Sequence, residues 1–235
     1  MDTKLDPYQD YLDRWTAEGQ DYSHFDRKPL GRFHTMRYAF EWYRSHNGKV
    51  VVELGTLRSF VHGGHSGCNQ PHNWLWDKEC PENWDWGSGM FSRMAAICLG
   101  DLHPHIHTVD IVPEHIRRCQ VMTQDFAHLF SYHTCSSVEF LQRISEPVDV
   151  LYLDTGDMTP VEDTAALQAQ EALLVIERSI LSPTGLLVID DVRNTTPFKY
   201  GDTSGMGKSK YSLPLLKENG FSVVMDEYQV VMTRG

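Results

Sequence analysis

The chain has 235 residues, of which 41% are hydrophobic and 23% charged, a balance that suits one globular α/β domain spanning residues 1–235. Its formal net charge of −11 repels phosphate backbones, so nucleic acid is not expected as a partner. No apolar run approaches the roughly 18 residues of a membrane span. The charged N-terminus MDTKLDPYQDYLDRW has no apolar core, so a secretory signal is not expected and a cytoplasmic location follows by default. Five cysteines, Cys68, Cys80, Cys98, Cys119 and Cys135, are odd in number and irregularly spaced, which fits reduced thiols better than a disulfide framework.

Residues 5–18 and 29–46 read as helices and make residues 1–48 an N-terminal helical cap. In the second, Phe33, Met36, Phe40 and Tyr43 recur at spacings of three and four, and His46-Asn47-Gly48 supplies a C-terminal stop. The run VVVEL, Val50 to Leu54, is short, apolar and β-branched, as a parallel strand buried on both faces requires. Residues 60–87 follow as a long insertion rich in Gly, His, Asn and Trp, a length that marks functional or disordered loops. Helical stretches are predicted over 88–99, 113–130, 138–144 and 160–181. Further apolar runs lie around Asp110 (IHTVDI), up to Asp154 (VDVLYLD) and up to Asp191 (GLLVIDD). Strands alternating with helices imply βαβ units and a parallel sheet. The final FSVVMDEYQVVMTR reads as a hairpin that adds an antiparallel strand.

Ligands of open α/β sheets bind beyond the carboxyl ends of the strands, where strand order reverses. The first strand ends in Glu53-Leu54-Gly55-Thr56, and Gly55 permits a tight turn with close backbone approach. The second ends in Asp110, an acid suited to gripping two ribose hydroxyls. The G-x-G-x-x-G of dinucleotide sites is absent. An acid before a single Gly suits a ligand with a cationic amino-acid end, such as S-adenosylmethionine.

The ordered series VVELGT, VDI, SSVEFL, VLYLD and GLLVIDDV resembles the motifs of class I S-adenosylmethionine-dependent methyltransferases, over residues 50–191. The resemblance implies a Rossmann-like fold: a mostly parallel seven-stranded sheet with helices on both faces and an antiparallel terminal strand. It places Glu53, Gly55 and Thr56 at the methionine end of the cofactor, Asp110 with Ile111 at the ribose, Ser137 near the adenine, and Asp154 on the pocket edge. Leu57 and Ser59 stand where further glycines often occur in that family.

Asp154, Asp190 and Asp191 end the fourth and fifth strands, and neighbouring strands lie about 5 Å apart. Such carboxylates would repel one another unless a cation intervened, and Mg²⁺ takes carboxylate oxygens. The three positions resemble the metal ligands of divalent-cation-dependent O-methyltransferases of the catechol and macrocin types. That resemblance implies Mg²⁺ or another divalent cation at Asp154, Asp190 and Asp191, with Asp157 as the nearest match to the proton acceptor. In the metal-free reading Asp154 is a polar pocket residue and Asp191 caps the loop that follows.

His62, His65, Cys68, His72 and Cys80 lack a standard zinc-finger spacing, and a Gly-rich binding loop is the plainer reading. Trp74, Trp76, Trp84 and Trp86 could form a substrate-facing lid. His103, His105 and His107 around Pro104 read as a solvated turn, with metal binding as the minor alternative. Residues 201–214 contain Gly207-Lys208-Ser209, but the Walker pattern needs Gly where Asp202 stands. Lys208, Lys210 and Tyr211 could meet an anionic substrate group or form plain surface. The expected function is methyl transfer to a hydroxyl of a small-molecule substrate with metal assistance. A metal-independent N- or C-methyltransferase and a cofactor-binding interaction protein without turnover are the rivals, an NAD-linked oxidoreductase a distant third, and a homo-oligomer stays open.

Overall fold

The computed structural model describes residues 4–17, 22, 27–60, 76–88, 90–157, 161–192 and 207–235. Its seven strands are β1 (Val50–Leu54), β2 (His105–Asp110), β3 (Phe130–Thr134), β4 (Val148–Leu153), β5 (Leu181–Ile189), β6 (Phe221–Asp226) and β7 (Val230–Arg234). They form one sheet in the order β3-β2-β1-β4-β5-β7-β6. Every pairing from β3 to β5 is parallel, and β7 runs antiparallel to both β5 and β6. The expected mostly parallel seven-stranded sheet with an antiparallel terminal strand is therefore present.

Helices α1 (Gln9–Ala17), α2 (Arg32–Ser45), α3 (Phe91–Leu99), α4 (Pro113–Met122), α5 (Ser137–Arg143), α6 (Val161–Glu177) and α7 (Ser212–Glu218) cover the sheet. All five residues of β1 are buried, so its continuous apolar run reflects cover on both faces. Alternate strand residues divide between two cores. Val51, Tyr152 and Val188 pack with Phe33, Met36, Phe40, Phe91 and Met94 of α2 and α3. Val52, Leu151 and Ile189 pack with Phe140, Ala172, Val175 and Leu216 of α5, α6 and α7. The helical spacing in residues 29–46 identifies the buried stripe Phe33, Met36, Phe40 and Tyr43, and Asn47 adopts the left-handed conformation (φ 54°) just past the end of α2.

Several predicted bounds shift. The chain from 113 to 130 is α4 followed by a 3-10 stretch at Gln124–Leu129, and Phe130 opens β3. Edge strand β3 (FSYHT) alternates Phe130 and Tyr132 with Ser131 and His133, so no apolar run announces it. Helix α6 stops at Glu177, because Ser179 (φ 49°) reverses the chain and Leu181 opens β5. Residues 86–99 divide into a 3-10 turn (Trp86–Ser88) and α3, separated at left-handed Met90 (φ 52°). Helix α5 is N-capped by Ser136, whose Oγ accepts from Glu139 N at 3.1 Å. Among the described residues no helix is long and apolar enough to cross a membrane.

Candidate active site at the strand tips

The sheet ladder runs past the strand ends and aligns the polar tips. Gly55 N donates to Val109 O (2.8 Å), Asp154 N to Leu54 O (2.9 Å) and Asp190 N to Leu153 O (3.0 Å). These tips lie where β1 stands between β2 and β4, the switch point at which strand order reverses. Gly55 has φ +83°, and a Cβ there would lie 2.4 Å from Asp154 O. Only glycine keeps the β1 and β4 tips this close.

Asp110 is held rigidly beside that turn. Its Oδ2 accepts from Thr56 N (3.1 Å) and its Oδ1 from Val112 N (2.8 Å), and His115 Nδ1 lies 3.2 Å from Oδ2. An ionised carboxylate accepts at about four lone-pair sites, and Thr56 N, Val112 N and His115 Nδ1 approach three of them, so the Oδ1 side keeps capacity for a ribose hydroxyl. The next side chain, Ile111, is 70% exposed and offers an apolar face beside that carboxylate. A glycine cradle, a fixed acid and an exposed aliphatic face fit an S-adenosyl nucleoside. Ser137 is buried at the start of α5 and hydrogen-bonds to the Glu171 carboxyl, as does Thr155 Oγ1 at 2.7 Å. Burial pushes Glu171 up to about 7 despite these bonds.

Glu53, expected at the cofactor, lies inside the protein. It is 3% exposed, and its carboxylate accepts from Ser92 N (3.2 Å), Ser92 Oγ (2.6 Å) and Thr108 Oγ1 (2.6 Å). Burial raises its pKa. Glu53 thus ties β1 to α3 and β2.

Asp154, Asp190 and Asp191 do converge, and two buried cations lie among them. Lys208 Nζ contacts Asp154 Oδ1 (2.8 Å), Asp191 Oδ2 (3.0 Å) and Gly156 O (3.2 Å) with its side chain 1% exposed. Arg32 contacts Asp190 through Nη2 (2.8 Å) and Nε (3.3 Å), and Asp191 through Nη2 (3.6 Å). Tyr152 OH donates to Asp190 Oδ2 (2.6 Å) and Tyr228 OH to Asp191 Oδ1 (2.7 Å). Burial alone would neutralise Lys208, but the three carboxylates outweigh it and hold the ammonium charged. Burial likewise opposes ionisation of Asp191, and Lys208 and Arg32 keep it well below the usual carboxylate range. Asp154 has Lys208 as its cation partner, and burial pushes it up to about 7.

The Mg²⁺ expected at these three residues does not fit the arrangement. The ammonium of Lys208 already directs its three hydrogens at Asp154, Asp191 and Gly156, and both Asp190 oxygens are engaged by Arg32 and Tyr152. A hard divalent cation demands near-octahedral oxygen donors, and a lysine ammonium in that position would repel it. Arg32 is the residue that sequence reasoning missed, and Lys208, expected at an anionic substrate group or at the surface, lies instead among these carboxylates. The signal available was the need of three adjacent strand-tip acids for positive partners.

Other expected site residues lie elsewhere. Asp157 is exposed, pairs with Arg58, and its carbonyl accepts from Thr164 Oγ1 (2.6 Å). Trp84 and Trp86, expected in a substrate-facing lid, are buried at 2% and 5% exposure and pack on Tyr8 and Tyr11. Trp76 stacks on Trp84 (4.9 Å between centroids). Trp74, His62, His65, Cys68 and His72 lie outside the described residues, and Cys80 is a free thiol. Lys210 and Tyr211 both bond Glu162 on α6. His105 and His107 belong to β2, and only His103 occupies the turn before it.

No protein-family model and no curated protein matches the sequence. Solved structures do match its fold. SAH-bound methyltransferase PaMTH1 of Podospora anserina superposes with a TM-score of 0.55 at 13% identity, covering 100% of this chain and 88% of that one. Cofactor-bound Rv0187 from MTB superposes with a TM-score of 0.55 at 12% identity, covering 99% and 90%. At such identities the likeness speaks for architecture, and with the strand order it leads to one statement: the chain has the Rossmann-like fold of class I S-adenosylmethionine-dependent methyltransferases.

Proposed function

We propose that this chain is an S-adenosylmethionine-dependent methyltransferase acting on a small molecule, and that it works without a divalent cation at the strand tips. The observation that carries the first part is the juxtaposition of the Gly55 turn with the fixed carboxylate of Asp110. The observation that carries the second is Lys208, whose ammonium stands among the carboxylates where a metal ion is expected.

Bound S-adenosylmethionine supplies an electrophilic methyl group on a sulfonium. The chain's own residues then have three tasks. Asp110 holds the ribose diol and Ile111 covers the adjoining apolar face, which fixes the donor's direction; such alignment supplies most of the rate in methyl transfer. Gly55 keeps the space between the β1 and β4 tips free of a side chain. Asp154, 19% exposed and bonded to Lys208, is the strand-tip carboxylate nearest to solvent and takes the proton of the acceptor hydroxyl, while Lys208 holds it in place. A hydroxyl is the leading acceptor. An amine satisfies the same geometry, and the presence of Lys208 in the cation's position favours that second reading over any metal-assisted one. The acidic surface supports a small molecule over nucleic acid as the partner.

Calorimetric titration with S-adenosylmethionine and its demethylated product tests the reading. Saturable binding to one site is expected, followed by methylation of compounds from a hydroxyl and amine library at rates unchanged by EDTA. A well-folded protein that binds neither compound would end it, and turnover that EDTA abolishes would end its metal-free part.

A further inference from the structure

At the opposite end of β2 from Asp110 lies a second cluster of side chains. His105 opens β2 and Asp110 closes it, a separation of about 17 Å at the rise of an extended strand. Two alternate residues of this strand, His105 and His107, point to the same face and meet Glu146 from the segment between α5 and β4. His107 Nε2 lies 2.9 Å from Glu146 Oε1, and His105 Nδ1 lies 3.3 Å from the same oxygen. One ligand atom from each residue falls within 4.8 Å of the others. Tetrahedral zinc with donors at about 2.0–2.1 Å needs ligand separations near 3.3 Å, which small side-chain adjustments reach from here.

The surroundings have the form of an outer shell. Metal-bound histidines direct their second ring nitrogen at a fixed partner. Here His105 Nε2 meets Ser131 Oγ at 2.8 Å, and His107 Nδ1 meets His133 Nε2 at 2.9 Å, both partners on β3. Phe140 closes the far side, 4.8 Å from the His133 ring.

We infer that His105, His107 and Glu146 form a binding site for a borderline divalent transition metal of the zinc class, remote from the cofactor end and independent of the proposed activity. Two imidazoles and one carboxylate select such ions over Mg²⁺ and Ca²⁺. Three protein ligands leave a fourth position for water or a further donor. The ion ties β2 to the segment that leads into β4 and braces edge strand β3 through Ser131 and His133.

The test uses the full chain stripped of metal with a chelator. Zn²⁺ is titrated calorimetrically, and Co²⁺ is followed by its visible ligand-field absorption. One equivalent is expected to bind, with tetrahedral Co²⁺ bands, and Zn²⁺ should raise Tm while Mg²⁺ does not. Glu146→Gln and His105→Asn alter partly exposed side chains (39% and 43%), so both variants should fold with the wild-type metal-free Tm. Each should lose at least tenfold in Zn²⁺ affinity and lose the zinc-dependent rise in Tm. Absence of binding by the wild type would overturn the site. So would equal binding by both variants, which would assign the ion to other residues such as the His- and Cys-containing segment 62–80. Binding of S-adenosylmethionine should be the same with and without Zn²⁺, so failure of this site and failure of the methyltransferase reading are separable.

Discussion

Lys208 Nζ lies 2.8 Å from Asp154 Oδ1 with its side chain 1% exposed, so a residue of the 3-10 turn Gly207–Ser209 neutralises the tip of β4. Two cations, Lys208 and Arg32, face three carboxylates there, and the acidic cluster is an internal salt-bridge network. Removing one partner of a buried pair costs far more than the pair's net contribution, because the remaining charge is left uncompensated.

Lys208→Ala should therefore destabilise the protein by about 3–5 kcal/mol, measured by urea unfolding. The vacated position should also let Asp154 and Asp191 take a hard divalent cation, so Mg²⁺ should raise the Tm of this variant and leave the wild type unmoved. Equal responses of the two proteins to Mg²⁺ would show that the ammonium does not stand in a cation's place.

Asp110→Ala removes the carboxylate at the tip of β2. A charged hydrogen bond contributes about 1.5–3 kcal/mol, so affinity for S-adenosylhomocysteine should fall by roughly 10- to 150-fold in calorimetry. Loss of the bonds to Thr56 N and Val112 N is a separate effect, and Asp110→Asn checks it: the amide keeps an acceptor for one of the two. Wild-type affinity in both variants would remove the ribose assignment.

Glu171→Gln tests the buried carboxyl of α6. Burial raises this group from an ordinary 4.5 to about 7, so the folded state holds its proton more tightly than the unfolded chain. Its contribution is fully present below pH 4.5 and is lost as pH rises through about 7. At about 1.4 kcal/mol per unit, the glutamine variant should gain on the order of 3 kcal/mol over wild type at pH 8 and almost nothing at pH 4.5. A stability difference that stays flat with pH contradicts this.

Trp84→Ala distinguishes a core residue from a lid. Trp84 is 2% exposed and stacked between Tyr8 and Trp76, so truncation should cost about 3–5 kcal/mol of stability. At a temperature where the variant remains folded, KM for the acceptor should stay within about twofold. A large KM change at unaltered Tm would restore the lid.

Asp157→Asn bears on the proton acceptor. The side chain is exposed and paired with Arg58 rather than with Lys208, which bonds the neighbouring Gly156 carbonyl, so kcat should be nearly unchanged. A drop of a hundredfold or more, with cofactor affinity intact, would return Asp157 to the chemistry.

Much of this architecture is readable from local pattern. A strand buried on both faces must be apolar throughout, which marks Val50–Leu54 and Val148–Leu153, and a helix on the sheet must repeat its apolar residues every three or four positions, which marks Phe33 to Tyr43. Strand β3 escaped because an edge strand needs no apolar run: Ser131 and His133 alternate with Phe130 and Tyr132. Trp84 and Trp86 lie in the core and not in a lid because their burial depends on Tyr8 and Tyr11, some 75 residues away in the chain.

The amino-acid order alone marked the tips of β1, β2, β4 and β5 and the acids that stand there, because backbone periodicity and turn chemistry act over a few residues. Only the tertiary structure decided which charges meet. Arg32 reaches Asp190 from 158 positions away and Lys208 reaches Asp154 from 54, and electrostatic compensation follows distance in space, which no local pattern encodes.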